Sequence, residues 1–172
     1  MESSVLEQLI ELLEASRRDV ADSLASLSDS DAARKPVPGR WSALECIEHI
    51  VFVEDVYLSW LEKADVVDAP KRDQSREEWI TARVADRGWD WQAPQVAMPA
   101  GRFRSVALAL AEFNAGRDRT IAAAKARESQ LLSLQAKHSV LGLLNGAELM
   151  RLAAGHASRH AVQIRAVRAS LT

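Results

Sequence analysis

Four long segments of the chain repeat apolar residues every three to four positions, and this periodicity restricts the fold more than any other feature. The repeat matches an α-helix with one buried face. Alternating, β-branched runs that would predict a sheet are almost missing. We therefore predict four helices, at residues 5–27, 43–63, 103–127 and 146–170. With 172 residues, these helices suit an all-α four-helix bundle that forms a single domain over residues 1–172.

Start signals support three of the four predicted helices. In a capping box, a Ser or Asn side chain accepts a hydrogen bond from a free backbone N–H, and a Glu three residues later accepts one from the capping residue. Three pairs have this spacing: Ser4 and Glu7, Ser42 and Glu45, and Asn145 and Glu148. Each pair immediately precedes an apolar repeat, so we expect each to begin a helix.

The second and third predicted helices are joined by a long connection, residues 65–102, that contains three prolines. A connection of this length exceeds a simple hairpin and is typical of a functional loop or lid, so we expect it to cover the site. A short extra helix is predicted after Ser75, with Glu78 completing its capping box. The connection also holds three of the five tryptophans: Trp79, Trp89 and Trp91. They either form a buried cluster against the bundle or line a substrate pocket.

His156 and His160 lie four residues apart on the predicted buried face of the fourth helix. The other residues of this face are Leu149, Leu152, Ala153, Gln163, Ile164 and Val167. Burying an unsatisfied polar group costs about 1–3 kcal/mol, so the two rings require hydrogen-bond partners or an ion. Two imidazoles at positions i and i+4 of a helix can bind one metal ion. The pair alone leaves both interpretations open, and a third ligand would decide between them.

The candidate for the third ligand is His49, in the segment GRWSALECIEHI. The residues that share its helix face are Glu45, Phe52, Val53, Val56 and Trp60. Because most of them are apolar, we expect this face, and His49 with it, to be buried. The remaining histidine, His138, is predicted to lie in the loop KHSVLG, either in solvent or beside a ligand.

Two polar residues near the histidines are candidate catalytic residues. Gln163 lies close after His160 on the same face and could orient that ring by a hydrogen bond, or it could tie the fourth helix to a neighbour. Glu45 lies one turn before His49 and could accept its N–H or act as a base. The capping box already uses the Glu45 carboxylate, and we favour that role. Trp41 is expected to anchor the start of the helix and not to contact a ligand.

Charge and composition exclude several classes of protein. The formal net charge is −2 and the basic residues are scattered among acidic ones, so a nucleic-acid partner is not expected. The single Cys46 excludes an internal disulfide framework and a cysteine-rich zinc module. No apolar run reaches the roughly 18 residues of a membrane span, and the acidic start lacks the pattern of a signal peptide. We expect a cytoplasmic protein that binds neither membranes nor nucleic acid.

Two motifs, taken together, resemble those of the DinB-like (YfiT-like) superfamily of four-helix-bundle, metal-dependent enzymes. The segment GRWSALECIEHI is similar to the family's Trp-Ser start followed by a His, and GHASRHAVQIR is similar to its ending, His-x3-His-x2-Gln-Ile. The resemblance covers nearly the whole chain in helix order. It implies that His49, His156 and His160 bind one divalent metal ion, zinc or nickel, with water completing the coordination.

The same resemblance implies a function. Some members of the family look like hydrolases, and others are S-transferases or isomerases that use a low-molecular-weight thiol as cosubstrate, so we expect a small-molecule substrate. It also implies a homodimer, which the broad apolar surface of the second helix favours. The alternative is a non-catalytic dimeric bundle, a stress-response or interaction module whose core histidines are held by a structural metal or by hydrogen bonds.

Overall fold

The computed structural model describes residues 4–68, 72–86, 88 and 92–171. Over this part of the chain the α-helices are α1 (Val5–Leu24), α2 (Asp29–Ala33), α3 (Ala43–Lys63), α4 (Gln74–Ala85), α5 (Val106–Ala126) and α6 (Gly146–Ala169). Three short antiparallel strands are β1 (Asp65–Val66), β2 (Leu134–His138) and β3 (Gly142–Leu144), paired in that order. The prediction of an all-α bundle is confirmed, because α1, α3, α5 and α6 are long and the sheet is small.

The four long helices form a ring in which α1 and α3 each pack against both α5 and α6. The neighbours α3 and α5 run in the same direction. Arg117 of α5 contacts Glu54 near the middle of α3, and Arg127 donates to the carbonyl of Leu61 near the C-terminal end of both helices. Since α3 is about 30 Å long, the chain must return along the bundle before α5 can begin. Parallel packing therefore explains the length of the connection between α3 and α5.

Helix α4 makes that return along the surface of α6. Near the start of α6, Arg76 of α4 donates to the Glu148 carboxylate at 2.7 Å. Further along both helices, the side chain of Val84 lies against Gly155. Residues 92–102 then cross the N-terminal half of α3 before α5 begins. The long connection thus brings its last residues to the helix that carries His49.

The predicted extra helix is present as α4, but its start was predicted wrongly. The cap is Asp73, whose side chain accepts the N–H of Arg76, and the first helical residue is Gln74. Glu78 accepts a hydrogen bond from the Gln74 side chain instead of closing a box with Ser75. Asp73, two residues before Ser75, is the cap because a carboxylate is at least as good an N-cap as a Ser hydroxyl.

Of the three tryptophans of the connection, Trp79 is the one in the described part of the chain, and it does not belong to a buried cluster. Trp79 of α4 is exposed over 49% of its surface, so it does not anchor α4 by burial. Trp89 and Trp91 lie outside the described residues. The prediction of a buried cluster is therefore wrong for Trp79. For Trp89 and Trp91, neither the buried cluster nor the pocket is tested.

Two other helix ends differ from the prediction by a few residues. Helix α1 ends at Leu24, because Ser26 has a left-handed backbone conformation, with φ at 68°. Helix α5 begins at Val106, where Ser105 provides the cap. The predicted capping boxes of α1, α3 and α6 are all present. The short α2, capped by Ser28, was not predicted.

Buried apolar side chains form two clusters, one toward each end of the bundle, and polar residues lie at their boundary. Arg117 lies there with 0% of its surface exposed and forms a two-pronged ion pair with Glu54. Its Nη1 donates to the carbonyl of Leu13 and to the hydroxyl of Ser16, both in α1. The guanidinium therefore links α1, α3 and α5, and the sequence patterns did not predict it.

The buried face of α3 is not the one predicted. His49 is buried as expected, but Phe52, Val53, Val56 and Trp60 are only half-buried. The most deeply buried positions of the helix are Ala43, Cys46, Ile47, Ile50, Val51, Glu54 and Leu61. Because α3 packs on both α5 and α6, its buried arc is wide and is centred on a different side of the wheel.

The small sheet was not predicted, because strands of two to five residues are too short for an alternating pattern to show. His138 is the last residue of β2, so its assignment to a loop is wrong. The free edge of β3 is covered by Arg76, whose guanidinium donates to the carbonyls of Leu141 and Leu143. Edge carbonyls that are paired in this way cannot recruit another strand.

Among the described residues, no helix has the length and apolar character that a membrane span requires.

Gly146, the first residue of α6, is expected to resist replacement by alanine. An added Cβ would lie 2.8 Å from the carbonyl oxygen of Leu131, a backbone atom that cannot move aside cheaply. We expect Gly146→Ala to lower the free energy of unfolding by about 1–3 kcal/mol, the usual cost of overpacking. Urea unfolding followed by circular dichroism measures this difference.

Gly116, in the interior of α5, is the matched control for that substitution. A Cβ added there meets its nearest atoms at 3.7 Å, an ordinary contact distance. Gly116→Ala should therefore be neutral or stabilise the protein by about 0.5–1 kcal/mol, because Ala is the better helix former. A Gly146→Ala variant as stable as the wild type would contradict the close approach of Leu131.

Glu77 is expected to make the packing of α4 on α6 pH-dependent. Its buried carboxylate pairs with Arg72 at 2.7 Å and with Arg151 of α6 at 2.8 Å. Burial alone would raise the pKa of Glu77, but the hydrogen bond from Arg72 and the charges of both arginines outweigh burial, and the pKa is lowered from 4.5. Such a carboxylate stabilises the fold fully above its unfolded-state pKa and loses this contribution as the pH falls through the folded-state pKa.

Glu77→Gln should lower the free energy of unfolding by about 1–3 kcal/mol near neutral pH, since both arginines lose a charged partner. The difference from the wild type should shrink as the pH falls below the unfolded-state pKa of glutamate and through the lowered pKa of Glu77, because the wild-type carboxyl then becomes protonated. Urea unfolding at neutral and acidic pH measures it. Glu78→Gln, at an exposed neighbouring position, should change stability little at any pH. A Glu77→Gln difference that is the same at every pH would contradict the ion pairs.

Candidate metal centre

The structure brings the three predicted histidines together. Ring nitrogens of His49, His156 and His160 all lie within 4.8 Å of one another. The Nε2 atoms of His49 and His156 are 3.2 Å apart. His49 and His160 are buried and His156 is half-buried. Two separate helices, α3 and α6, thus supply nitrogen donors to one point.

The antiparallel packing of α3 and α6 produces this meeting. Trp41, just before α3, lies against His160, and Tyr57, further along α3, lies against His156. Progress along α3 therefore corresponds to moving backwards along α6. His49 lies between these two levels, so it faces both histidines of α6.

Hydrogen bonds define the protonation of two rings. His49 Nδ1 lies 2.8 Å from the carbonyl oxygen of Ala97, and His160 Nδ1 lies 3.0 Å from Oε1 of Gln163. A carbonyl oxygen only accepts, so each Nδ1 must carry the proton. In a neutral imidazole the other nitrogen, Nε2, then presents a lone pair. Metal-bound histidines usually have such an N–H partner, which orients the ring.

Burial keeps the rings of His49 and His156 in the neutral form. The pKa of His49 is lowered by burial, an effect that its hydrogen bond to Ala97 only partly offsets. Burial also lowers the pKa of His156 to well below its usual value, and the nearby His160 and His49 lower it further. Neutral imidazole is the form that binds metal.

The donor set fits a divalent ion. Two nitrogen ligands about 2.0–2.1 Å from a tetrahedral metal ion are roughly 3.3 Å apart, and the His49 and His156 Nε2 atoms are 3.2 Å apart. Three neutral imidazoles suit zinc, nickel, copper or iron. A cluster of this kind could bind a divalent metal ion, and its geometry does not select one metal.

Two aromatic side chains border the cluster. The Trp41 ring lies 4.9 Å from that of His49 and 6.1 Å from that of His160, nearly parallel to the latter. Trp41 was expected to anchor the helix start, and it also covers the histidines. Tyr57 meets His156 edge-on at 6.3 Å between ring centres. Burial, with a smaller effect of Glu54, raises the pKa of Tyr57, so its phenol stays protonated.

The two candidate catalytic residues have different surroundings. Glu45 accepts the N–H of Ser42 at 2.8 Å, as the cap of α3, and pairs with Lys35 at 2.9 Å. Gln163 contacts His160 directly. A catalytic role of Glu45 or Gln163 stays a prediction.

His138 lies apart from the three clustered histidines. Its Nδ1 accepts the backbone N–H groups of Val140 and Leu141, in the turn between β2 and β3, and its ring meets that of Trp60 edge-on. Burial lowers the pKa of His138. These contacts give it a structural role in the hairpin.

Sequence reasoning missed two contributors to the site, Ala97 and Tyr57. Tyr57 could have been found, because it lies about two turns after His49 on the same helix. Ala97 left no signal, because it acts through its backbone carbonyl and reaches His49 only by the path of the long connection.

Comparison with known proteins agrees with the fold. The family model of the DinB superfamily matches residues 12–164, which include all three clustered histidines. No curated protein and no solved structure matches the chain. The match covers most of the chain, and the chain belongs to the DinB superfamily.

Proposed function

We propose that this protein is a metal-dependent enzyme whose divalent ion is bound by His49, His156 and His160. The observation that carries the proposal is the convergence of their ring nitrogens within 4.8 Å. The hydrogen bonds of His49 and His160, which place the proton of both rings on Nδ1, support it. Membership of the DinB superfamily is compatible with it.

A divalent ion bound by these three histidines would supply Lewis acidity, which makes water or a thiol a stronger nucleophile near neutral pH. The residues of the chain have the supporting roles. Ala97 and Gln163 orient two ligand rings. Trp41 covers the ligands on one side, and the Tyr57 phenol remains protonated beside His156.

The reaction class proposed is hydrolysis of a small molecule, or transfer of a low-molecular-weight thiol to an electrophilic small molecule. Both need the same activated nucleophile, and the ligand set serves either. Zinc or nickel is the metal proposed. A cytoplasmic location and a homodimeric assembly are also part of the proposal.

One observation favours a non-catalytic alternative. The 3.2 Å between His49 Nε2 and His156 Nε2 is also a hydrogen-bond distance. With its proton on Nε2, His156 would donate to His49, and the pair would join α3 to α6 without a metal. Metal analysis tests the hydrogen-bonded form of this alternative, because hydrogen-bonded histidines retain no ion. The form with a structural metal is separated from the enzyme by activity assays.

His49→Ala and His156→Ala are expected to abolish stoichiometric metal binding while the helical fold is largely kept. Each removes one of three ligands from a site that needs all of them. The measurement is metal content of the purified protein by mass spectrometry, with circular dichroism to report the fold. His138→Ala is the control, because it removes a histidine outside the cluster and should leave the metal content unchanged.

Stoichiometric metal in either cluster variant, or none in the wild type after incubation with zinc or nickel, would contradict the proposal. Activity assays on the metal-loaded protein then separate the reaction classes. Loss of an electrophile only when a thiol is added supports transfer, and loss of an ester without thiol supports hydrolysis. Neither loss would support the non-catalytic alternative.

Gln163→Ala is expected to weaken metal binding about 10–100-fold without abolishing it, because the His160 ring loses the acceptor that orients it. A competition titration with a chromophoric chelator measures the affinity. Gln135→Ala, at an exposed position of β2, should have wild-type affinity. Equal affinity in both variants would show that Gln163 has no orienting role.

A further inference from the structure

Glu48, the residue before His49, binds three consecutive backbone N–H groups of the crossing segment. Its carboxylate accepts from Ala100 at 2.7 Å, Gly101 at 3.1 Å and Arg102 at 2.9 Å. Gly101 has a φ of +81°, the left-handed conformation that glycine adopts without strain. Successive N–H groups in such a turn point to one side and form a concave anion site, which Glu48 occupies.

The same segment supplies the Ala97 carbonyl to His49. Ala97 ends the single turn Gln95–Ala97, whose own hydrogen bonds run from Ala97 to Pro94 and from Met98 to Gln95. Only a few residues separate this turn from the N–H groups that Glu48 holds. The segment is therefore fastened to two adjacent residues of α3, once through its carbonyl and once through its N–H groups.

We propose that Glu48 is a positioning residue of the metal centre. By holding residues 100–102 it places the Ala97 carbonyl opposite His49 Nδ1. That carbonyl keeps the proton on Nδ1 and leaves the His49 Nε2 lone pair toward His156. The effect of Glu48 on metal binding rests on the proposed function. Its effect on the position of the His49 proton does not, and can be tested without metal.

The experiment uses full-length Glu48→Ala, with Glu112→Gln as its matched control. Glu112 contacts the same segment, but through the Arg102 side chain, and both partners are about half exposed at 52%. Nitrogen-15 NMR of the metal-free, labelled protein reports which nitrogen of each of the four histidines carries the proton. Cobalt(II) titration, followed by visible absorption, reports affinity.

For Glu48→Ala we expect His49 to change from a single Nδ1–H form to a mixture of both forms. We also expect cobalt to bind about tenfold more weakly, the low end of the effect of removing an orienting partner. The wild type and Glu112→Gln should share one His49 form and one affinity. If Glu48→Ala does not fold, Glu48→Gln, which keeps one acceptor oxygen, should show the same changes to a smaller degree.

Three results would overturn the inference. An unchanged His49 proton with unchanged affinity removes the positioning role and leaves the proposed function intact. Weaker cobalt binding with an unchanged His49 proton means that Glu48 acts by its charge alone. A wild type that binds no cobalt overturns the proposed function and the metal-positioning role together, whatever the NMR result.

Discussion

The buried ion pair between Arg117 and Glu54 is the interaction on which the arrangement of the long helices depends. Removing two charges from water costs on the order of several kcal/mol per ion, so the pair is tolerable only with good geometry and with its remaining donors satisfied. Arg117 meets these conditions by reaching Glu54 on α3 and both Leu13 and Ser16 on α1. Any rotation or sliding of these helices would leave a buried charge unpaired.

This constraint extends to the histidines. On α6, His156 lies between Ala154 of one apolar cluster and Ala157 of the other, at the same boundary as Arg117 and Glu54. Each long helix therefore contributes a polar group to the boundary between the two clusters. The ion pair of Glu54 fixes the rotation of α3 about its own axis. His49 lies earlier on the same helix, so its side chain is kept pointing toward α6. The parallel course of α3 and α5 accounts for the hydrogen bond of His49. Because the chain must cross α3 again before α5 begins, the carbonyl of Ala97 comes to lie beside the His49 ring.

Much of the fold could be predicted from local patterns. The period of the apolar residues located four long helices, and the Ser4, Ser42 and Asn145 boxes located three helix starts to the residue, because both signals depend only on neighbours in sequence. The face of α3, the Asp73 cap and the sheet could not be predicted. They depend on which helices become neighbours, on competition between nearby caps, and on pairing between distant short strands.

The sequence by itself determined the ligand types, the i and i+4 spacing of His156 and His160, and the family. Those properties follow from residue identity and helical period, which need no tertiary contact. Only the tertiary structure decided that His49 meets the other two rings, which nitrogen of His49 carries the proton, and that Ala97 and Glu48 take part. Their contacts join residues about 50 or more positions apart in the sequence. Whether such residues meet depends on how the helices pack and on the path of the chain, and local sequence patterns carry no information about either.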